Sequence, residues 1–359
     1  MGDFRTFHET KRLPAKAGQK VIDPAGWDNG ALQNLENWSY QITASDVAEL
    51  AEGVAAVKRA GVPITGIKRE HFPLKGFASI LADVRRELTD GRGLVMLQQF
   101  PVDEFDREST AIAYFGLGQY LGRTIPQNGQ GHVLGHVKDI GADYRIPTVR
   151  GYMTRDWMGF HTDSAEYVGL LCLQTSKSGG ESLIASSVTV YNRILERRPD
   201  LLSLLTQDWY STQSGEIDPG DNPWTKAPVF AFVDGYFSAG SINLHHERAQ
   251  GMPGVPTWTD AHREAMDIYK ATVMECALEI PFQRGDIQFL NNHVMLHTRR
   301  AYDDFPEVER KRHLLRLWLQ DPVARPIPEI RRKGRSGQGV VLKGVEWIAP
   351  LDVEQLETA

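Results

Sequence analysis

The pairing of His161 with Asp163, two positions apart, constrains the fold of this 359-residue chain more than any other feature of its sequence. Side chains alternate between the two faces of a strand, so these residues would present an imidazole nitrogen and a carboxylate oxygen on the same side. Two such ligands do not hold a metal ion securely, and a third must come from a distant segment. The best candidate is His297, within residues 285–299. The fold must therefore bring the neighbourhoods of residues 161 and 297 to one point.

The overall composition indicates an ordinary globular protein and excludes several functional classes. Hydrophobic residues make up 41% of the chain, charged residues 24%, and the formal net charge is −6, so no basic surface indicates a nucleic-acid partner. The two cysteines, Cys172 and Cys276, lie in apolar runs and are expected to be buried thiols in a reducing compartment. No apolar stretch approaches the roughly 20 residues that span a bilayer, and the first residues lack a secretory signal. We therefore expect a cytoplasmic protein without a membrane partner.

Hydrophobic periodicity predicts helices separated by many short strands. The helical segments are 43–60, 77–88, 109–121, 188–207 with an interruption at Pro199, and 260–278. The strand candidates are 93–97, 135–137, 152–154, 167–174, 182–186, 229–233, 236–242, 286–290 and 313–319. Short strands broken by helical inserts favour a β-sandwich or jelly roll over a parallel βαβ array. We therefore predict a mainly β chain with helical inserts (α+β), built on a double-stranded β-helix, or jelly roll.

The domain organisation predicted from the sequence is a single catalytic domain over residues 1–359, because no charged or low-complexity run divides the chain. Residues 1–90 would form an N-terminal arm and helices. Residues 91–322 would form the jelly-roll core, with helical inserts at about 188–207 and 260–278. The C-terminal tail, 323–359, contains a basic, glycine-rich segment at 331–339, which we predict to be a loop, and a candidate edge strand at 340–348.

Four short motifs follow one another along the chain: His161 with Asp163, then residues 179–183, then His297, then residues 312–316. The second motif is Gly-Gly-Glu-Ser-Leu and the fourth is Arg-His-Leu-Leu-Arg. With these motifs in this order, the chain from about residue 91 to residue 322 resembles the taurine dioxygenase and clavaminate-synthase-like superfamily of Fe(II)/2-oxoglutarate-dependent oxygenases. Two histidines and one carboxylate, with other coordination positions open, are also the ligand set typical of non-haem Fe(II) oxygenases.

The resemblance implies that Fe²⁺, 2-oxoglutarate and O₂ are the cofactors. 2-Oxoglutarate would chelate the metal through its C1 carboxylate and C2 ketone, and its decarboxylation to succinate and CO₂ would drive oxidation of a C–H bond in a small molecule. Related halogenases have a small residue in place of the carboxylate ligand. Asp163 therefore favours hydroxylation, desaturation or ring closure over halogenation. The protein would supply geometry and exclude side reactions.

The same resemblance assigns two arginines and a serine. Arg312 would bind the distal carboxylate of 2-oxoglutarate, because a planar guanidinium forms a two-pronged contact with a carboxylate; a surface salt bridge is the alternative. Ser182 matches the family's hydroxyl partner for 2-oxoglutarate, which is commonly a threonine. On a strand, Arg316 would face the same way as Arg312. It would hold an anionic group of the substrate or contact 2-oxoglutarate a second time.

Three further residues are candidates for substrate contacts because they lie just before the metal motif or in the preceding segment. They are Trp157, Gln127 and Asn128. Trp157 is equally compatible with a place in the core, and the Gln–Asn pair with a turn. The pair His245–His246 lies in an irregular region, and the sequence assigns it no role.

Two other functional classes fit parts of the pattern. A metal-dependent hydrolase or isomerase on a β-barrel would use Zn²⁺ with His161, Asp163 and His297, but it would need neither Arg312 nor 2-oxoglutarate. A non-catalytic protein that binds a small ligand would keep the fold, although buried charged clusters are kept mainly at functional sites. Iron content together with succinate formation separates the three classes. Amino acids, betaine-like amines and sulfonates are all compatible substrates, and we expect an amino acid or another anionic metabolite.

Overall fold

The computed structural model describes residue 4 and residues 10–32, 34–321, 325–333 and 337–354. Within these residues the chain forms eight α-helices and sixteen β-strands. The helices are α1 (Ala44–Ala60), α2 (Gly76–Asp90), α3 (Arg107–Gly118), α4 (Ser187–Arg197), α5 (Pro199–Leu205), α6 (Leu244–Ala249), α7 (Asp260–Cys276) and α8 (Glu329–Lys333). The strands are β1 (Ser39–Gln41), β2 (Leu94–Gln98), β3 (Arg123–Thr124), β4 (Gly135–Lys138), β5 (Tyr167–Gln174), β6 (Ser178–Gly179), β7 (Ser182–Ser186), β8 (Asp208–Thr212), β9 (Trp224–Pro228), β10 (Phe230–Val233), β11 (Tyr236–Ala239), β12 (Leu278–Ile280), β13 (Ile287–Asn291), β14 (Met295–Arg299), β15 (Tyr302–Asp303) and β16 (His313–Gln320).

Two facing β-sheets form the core and confirm the predicted jelly roll. The larger sheet has the strand order β1-β2-β13-β5-β16-β3, with β4 also paired to β16, and only the β1–β2 pairing of this described sheet is parallel. The smaller sheet, β12-β7-β14, is antiparallel. Val168 and Leu290 of the larger sheet share one buried apolar cluster with Ala185 and Leu296 of the smaller sheet. The hydrophobic core therefore lies between the sheets.

Helices α1–α3 cover the outer face of the larger sheet. Phe77 of α2 and Phe115 of α3 belong to the same buried cluster as Phe289 of β13. Helix α1 begins with a capping box, in which the Thr43 side chain accepts a hydrogen bond from the Asp46 backbone N–H and the Asp46 carboxylate accepts one from the Thr43 backbone N–H. These two bonds satisfy donors that the first turn of a helix leaves unpaired, so α1 starts one residue inside the predicted segment 43–60.

A long insertion between β7 and β12 covers the smaller sheet and one end of the jelly roll. It contains α4 and α5, the hairpins β8–β9 and β10–β11, and the helices α6 and α7. Helices α4 and α5 span residues 187–205, with the break at Pro199, and α7 packs against α4 and β7. The sequence predicted helices at these places, but the hairpin β8–β9 between them was not predicted.

Strand β14, which carries His297, was also missing from the predicted strands. All five of its residues are buried although three are polar, so the alternation that reveals a half-exposed strand is absent. The strand predicted at 152–154 was wrong, since residues 152 and 153 lie in a 3-10 turn, Gly151–Met153, and Thr154 follows it. The Arg299 guanidinium donates to the carbonyl groups of Gly151 and Thr154, which gives this backbone partners without a neighbouring strand.

The C-terminal tail differs from its prediction as well. The loop predicted at 331–339 begins inside α8, and residues 334–336 of that segment lie outside the described residues. Arg331 of α8 is buried and donates to the carbonyl groups of Pro228 and Ala239. Its guanidinium therefore faces the protein interior and not the solvent. The edge strand predicted at 340–348 is reduced to one isolated bridge between Ile348 and His132.

The structure also addresses the expectations for the cysteines and for membrane-spanning segments. Cys172 and Cys276 are both buried and free, as the sequence predicted. Over the part of the chain that the structure describes, we find no helix with the length and apolar character to cross a membrane.

Candidate metal centre and active site

His161, Asp163 and His297 come together at one end of the jelly roll. The backbones of His161 and His297 form an antiparallel bridge, in which each N–H donates to the other's carbonyl at 2.9 and 3.0 Å. The Nε2 atoms of His161 and His297 lie 4.0 and 3.8 Å from carboxylate oxygens of Asp163. One ligand atom from each residue can be chosen so that all three lie within 4.8 Å of one another. Ligands about 2 Å from a common metal ion lie no more than about 4 Å apart, so small adjustments suffice for a shared ion.

The three side chains are held in protonation states that suit a metal. Burial lowers the pKa of His161 and that of His297, the latter to about 3. Burial alone would raise the pKa of Asp163, but Arg316 and the two histidines together hold it below its usual value. The Nδ1–H of His161 donates to the carbonyl of Gly159 at 3.1 Å, which leaves the Nε2 lone pair of His161 facing the cluster.

The cluster lies between two cavities. The larger cavity has a volume of about 570 Å³, and its lining includes His161 and Asp163. The smaller has a volume of about 50 Å³, and its lining includes His161 and His297. Arg316 lines both cavities. A metal ion at the cluster would therefore be accessible to a different ligand from each side.

Arg312 and Ser182 both line the smaller cavity. Nη2 of the buried Arg312 lies 3.4 Å from the carbonyl of Gly180, whereas its Nη1 has no hydrogen-bond partner among the described residues. The Ser182 hydroxyl donates to Oε1 of Gln288 at 3.0 Å, and Nε2 of Gln288 is a second buried donor without a partner in the described chain. Buried donors are normally paired, so this cavity is suited to a ligand with carboxylate oxygens.

Arg316 is already engaged on several sides. Its Nη1 lies 3.6 Å from Oδ1 of Asp163, and its Nε donates to Oε1 of Gln127 at 2.7 Å. Its guanidinium carbon lies 4.8 Å from the ring centre of Tyr152 and 5.0 Å from that of Trp318. These contacts fix the guanidinium against the carboxylate of the cluster.

The other residues singled out in the sequence lie in different places. Gln127 lines neither of the two cavities; a Cβ at Gly135 would lie 2.2 Å from Oε1 of Gln127, so the glycine makes room for the amide that holds Arg316. Asn128 also lines neither cavity, and its Oδ1 accepts from the backbone N–H groups of residues 130 and 132, as in a turn. Trp157 lines the rim of the larger cavity and is 39% exposed.

Comparison with known families identifies this arrangement. Residues 60–318 match the family model described as taurine catabolism dioxygenase TauD, TfdA family, which is more than half of the chain. The chain belongs to this family. A TauD/TfdA dioxygenase is a non-haem iron enzyme that uses 2-oxoglutarate and O₂, and this protein oxidises a small molecule with release of succinate and CO₂. The zinc hydrolase and the non-catalytic binding protein are therefore not favoured.

Two relatives align with most of the dioxygenase. It is 26% identical over 332 residues to FR-33289 synthase of Streptomyces rubellomurinus, which covers 88% of this chain and 95% of that protein. It is 27% identical over 324 residues to the taurine hydroxylase-like protein SAT17 of Stachybotrys chartarum, which covers 87% of this chain and 82% of that protein.

Solved structures share the fold of the dioxygenase at low sequence identity. Asparagine oxygenase in complex with Fe(II), 3-hydroxyasparagine and succinate superimposes with a TM-score of 0.61 at 16% identity, covering 79% of this chain and 93% of that one. The non-haem iron oxygenase OrfP in complex with Fe and α-ketoglutaric acid gives 0.57 at 16% identity, covering 78% and 93%.

The described residues of the dioxygenase fit the family's cofactors. Oδ2 of Asp163 is buried and accepts no hydrogen bond from a described residue, as expected of an oxygen that faces a metal ion. Nη1 of Arg312 is the matching unpaired donor in the smaller cavity. A metal ion would satisfy Oδ2 of Asp163, and an anionic chelator reaching from that ion to Arg312 would satisfy the guanidinium.

Several polar residues of the larger cavity were not predicted from the sequence. Arg150 donates from Nη1 to Oε2 of Glu216, and the hydroxyl of Ser214 lies 3.2 Å from Nδ1 of His245. All four residues line the cavity of the dioxygenase. Except for Arg150, they belong to the long insertion, and no local motif marks them. Their shared location is created by the fold alone.

Arg299 was missed too, although it lies two residues after His297 on β14. Besides the turn at 151–154, its guanidinium donates to the carbonyl of Asp156 at 2.7 Å, and the Thr298 hydroxyl donates to the carbonyl of Met158. Strand β14 therefore holds the segment that leads into His161. The alternation along a strand, which puts Arg299 on the same face as His297, was the available signal.

A second group of two histidines and one carboxylate lies elsewhere in the dioxygenase, at His136, His313 and Asp352. Nδ1 of His136 and Nε2 of His313 are 2.8 Å apart and hydrogen bonded, and the Nε2–H of His136 donates to the carbonyl of Pro350 at 2.8 Å. Here the histidines bind each other and the C-terminal segment.

Proposed function

We propose that His161, Asp163 and His297 hold the Fe(II) of this dioxygenase. The observation that supports this most strongly is the position of the three side chains at the junction of two cavities, one of which contains an unpaired arginine donor. With iron and 2-oxoglutarate bound, O₂ would be the oxidant of the C–H bond, and 2-oxoglutarate would supply two further electrons through its decarboxylation to succinate. The chain holds the ligands: the backbone N–H of Asp163 donates to Oδ1 of Asn292 at 3.0 Å, and Gln127 holds Arg316 against the Asp163 carboxylate.

We further propose that Arg312 pairs with the distal carboxylate of 2-oxoglutarate. Ser182 and Gln288 lie beside it in the smaller cavity and supply additional polar contacts. Because Arg312 is buried, water solvates its charge poorly. An ion pair with a carboxylate would replace that lost solvation. The smaller cavity would then hold the cosubstrate and the larger cavity the substrate.

We assign the substrate to a small molecule with an acidic group, an amino acid or another anionic metabolite. Arg316 and Trp157 line the larger cavity and support this assignment, as do the 3-hydroxyasparagine and hydroxy-L-Arg bound by the two solved neighbours. Asp163 supports hydroxylation, desaturation or ring closure rather than halogenation. We also propose that residues 1–359 act as a single catalytic domain in the cytoplasm.

The proposal is tested by reconstituting the protein with Fe(II) without oxygen, adding 2-oxoglutarate and a metabolite library, and then admitting oxygen. Succinate should form, and mass spectrometry should find a product that is changed by one oxygen or two hydrogens. Calorimetry without oxygen should show 2-oxoglutarate binding that requires the metal. A protein that binds Zn²⁺ but gains no affinity for 2-oxoglutarate would contradict the proposal.

The role of Arg316 needs its own test because this residue lines both cavities. If Arg316 serves the substrate, Arg316→Ala should leave 2-oxoglutarate affinity nearly intact and raise the share of succinate formed without product, because the reacting C–H bond is then misplaced. Titrations in 2-oxoglutarate and in substrate separate the two roles. A loss of 2-oxoglutarate affinity as large as that of Arg312→Ala would make Arg316 a cosubstrate residue.

A further inference from the structure

One wall of the larger cavity is lined by basic and hydrogen-bonding groups that the cofactors do not use. We propose that Arg150 and His245 form a subsite for an oxyanion group of the substrate, such as a carboxylate, sulfonate or phosphonate. This subsite is separate from Arg316. The inference rests on the proposed function, because it concerns the substrate of the same metal site.

Arg150 is held in place from behind. Its Nη1 donates to Oε2 of Glu216, while Oε1 of Glu216 accepts from the backbone N–H of Gly129 at 3.0 Å. The Arg150 guanidinium makes no other side-chain hydrogen bond among the described residues, and 22% of the side chain is exposed, in a cavity that it lines. A guanidinium carries five N–H donors in a fixed plane. With one nitrogen bound to Glu216, the remaining donors can bind an oxyanion without rearrangement.

His245 adds a donor in a positive environment. Its Nδ1 lies against the Ser214 hydroxyl, and its Nε2 makes no hydrogen bond within the described chain. Burial keeps the pKa of His245 low, at about 3, and the basic neighbours Arg150, His246 and Arg248 lower it further. Of these neighbours, Arg150 and Arg248 carry fixed positive charges, which favour an anion near His245.

Arg316 is less suited to this task than Arg150. Its Nε is bound to Gln127 and its Nη1 lies against Asp163. A substrate anion there would compete with the carboxylate of the metal cluster. Arg150 therefore offers donors that Arg316 has already committed to the protein.

The rest of the cavity indicates the body of the substrate. Its lining includes the apolar residues Phe160, Trp209, Ile242 and Val273, and its volume is about 570 Å³. Cavities of about 300–1,000 Å³ typically enclose ligands of drug size. The substrate class is therefore an amphipathic acid, with an oxyanion bound at Arg150 and an apolar body larger than that of 2-oxoglutarate.

The test uses full-length protein loaded with Fe(II) and 2-oxoglutarate without oxygen, so that Arg312 is occupied. Calorimetry compares naphthalene-2-sulfonate and naphthalene-2-carboxylate with the neutral naphthalene-2-carboxamide. Both anions should bind more tightly than the amide. Arg150→Gln should weaken the two anions by about tenfold or more and leave the amide unchanged, since a hydrogen bond to a charged group contributes about 1.5–3 kcal/mol.

Two variants separate anion binding from a structural effect. Glu216→Gln removes the negative charge beside Arg150, but its amide oxygen can still accept from Nη1 of Arg150 and hold the guanidinium. Anion affinity should therefore be unchanged or increased. Arg248→Gln removes a neighbouring guanidinium that binds the carbonyl groups of Tyr144 and Pro147, and anion affinity should change by less than about threefold at moderate salt. Equal losses in Arg150→Gln and Glu216→Gln would overturn the subsite and leave the pair as a structural tie.

The same measurements separate this inference from the proposed function. If the protein binds Fe(II) and 2-oxoglutarate but shows no preference for the anions over the amide, the subsite is wrong and the proposed function stands. If it prefers the anions but fails to bind 2-oxoglutarate with the metal, the proposed function is wrong and the anion site stands without it.

Discussion

The described part of the chain contains two groups of two histidines and one carboxylate, and they differ in how their polar atoms are paired. In the group at residues 161, 163 and 297, Oδ2 of Asp163 and Nδ1 of His297 are buried without a hydrogen-bond partner among the described residues. In the group at residues 136, 313 and 352, the histidines are hydrogen bonded to each other. The ligand types are the same, so the pairing of their polar atoms favours the first group, and not the second, as the metal site that we propose.

The surroundings of the second group point the same way. Asp352 forms an ion pair with Lys138 at 3.3 Å and another with Arg107. Two cations next to the only carboxylate of this group would repel a metal ion. In the first group, the cation nearest to the carboxylate among the described residues is Arg316, at 3.6 Å, and the group opens onto two cavities. The types of the ligands and the distances between them are therefore insufficient to identify a metal site. The hydrogen bonds of the ligand atoms must be considered as well.

The largest expected difference between the two groups is in metal binding. His297→Ala should abolish iron binding and succinate formation while the fold is retained, because two ligands do not hold the ion. The matched variant His313→Gln should bind iron in the wild-type stoichiometry. Metal analysis after gel filtration, together with circular dichroism, measures both. The proposed metal site would be wrong if His297→Ala kept the wild-type iron content, or if folded His313→Gln lost its iron.

The next largest effect separates Arg312 from its neighbour His313. Arg312 lines the smaller cavity, whereas His313 pairs with His136. Removing one member of a buried ion pair costs about 3–5 kcal/mol, so Arg312→Ala should raise the dissociation constant of 2-oxoglutarate by about two to four decades. Arg312→Lys should recover only part of this, because a point charge does not replace a planar fork. Anaerobic calorimetry with 2-oxoglutarate is the measurement, and His313→Gln is the control.

Acid stability should reveal the second group. Burial lowers the pKa of His136 and that of His313, the latter to about 3. Both pKa values lie below the usual value of about 6.5 in an unfolded chain, so between these values the unfolded state binds more protons and stability falls as the pH falls. From pH 6 to 4, the free energy of unfolding of the wild type should fall more steeply than that of His313→Gln, by about 1.4 kcal/mol per pH unit for one proton. Urea unfolding at each pH tests this, and equal slopes would show that His313 titrates alike in both states.

The smallest effect is expected at Asp352. Its partner Arg107 is largely exposed, and ion pairs near the surface contribute about 0–1 kcal/mol. Its other partner, Lys138, is buried, but an asparagine oxygen can still accept a hydrogen bond from Lys138 Nζ. Asp352→Asn should therefore lower the free energy of unfolding by about 1–2 kcal/mol at low salt, with a smaller effect at high salt. Iron content and 2-oxoglutarate affinity should not change. A loss of iron in this variant would mean that the second group acts on the metal site.

The site residues that could be predicted from the sequence lie in short sequence motifs. His161 and Asp163 lie two positions apart, and Arg312 lies in a motif that follows them in a fixed order. The jelly roll was predictable for a similar reason, since short strands broken by turns are visible locally. Strand β14 was not visible, because burial of its polar residues depends on the segment 151–158 that it contacts.

The polar wall of the larger cavity could not be predicted, for a geometric reason. Arg150 precedes the metal motif, while Glu216 and His245 come from the insertion. Each has an ordinary local sequence, and only the folding of the insertion over the mouth of the jelly roll brings them together. Gln127 shows the converse case: the sequence singled it out, but it acts behind the cavity wall by holding Arg316.

The backbone bridge between His161 and His297 has a consequence for the order of events when the chain folds. It joins segments far apart in sequence. Contacts that close long loops form late, because the chain loses conformational entropy before the contact stabilises it. Until then, a growing chain offers iron only the ligand pair at 161 and 163. We therefore expect iron to be taken up after folding rather than during synthesis, so that emerging chains do not compete for the ion with finished enzyme.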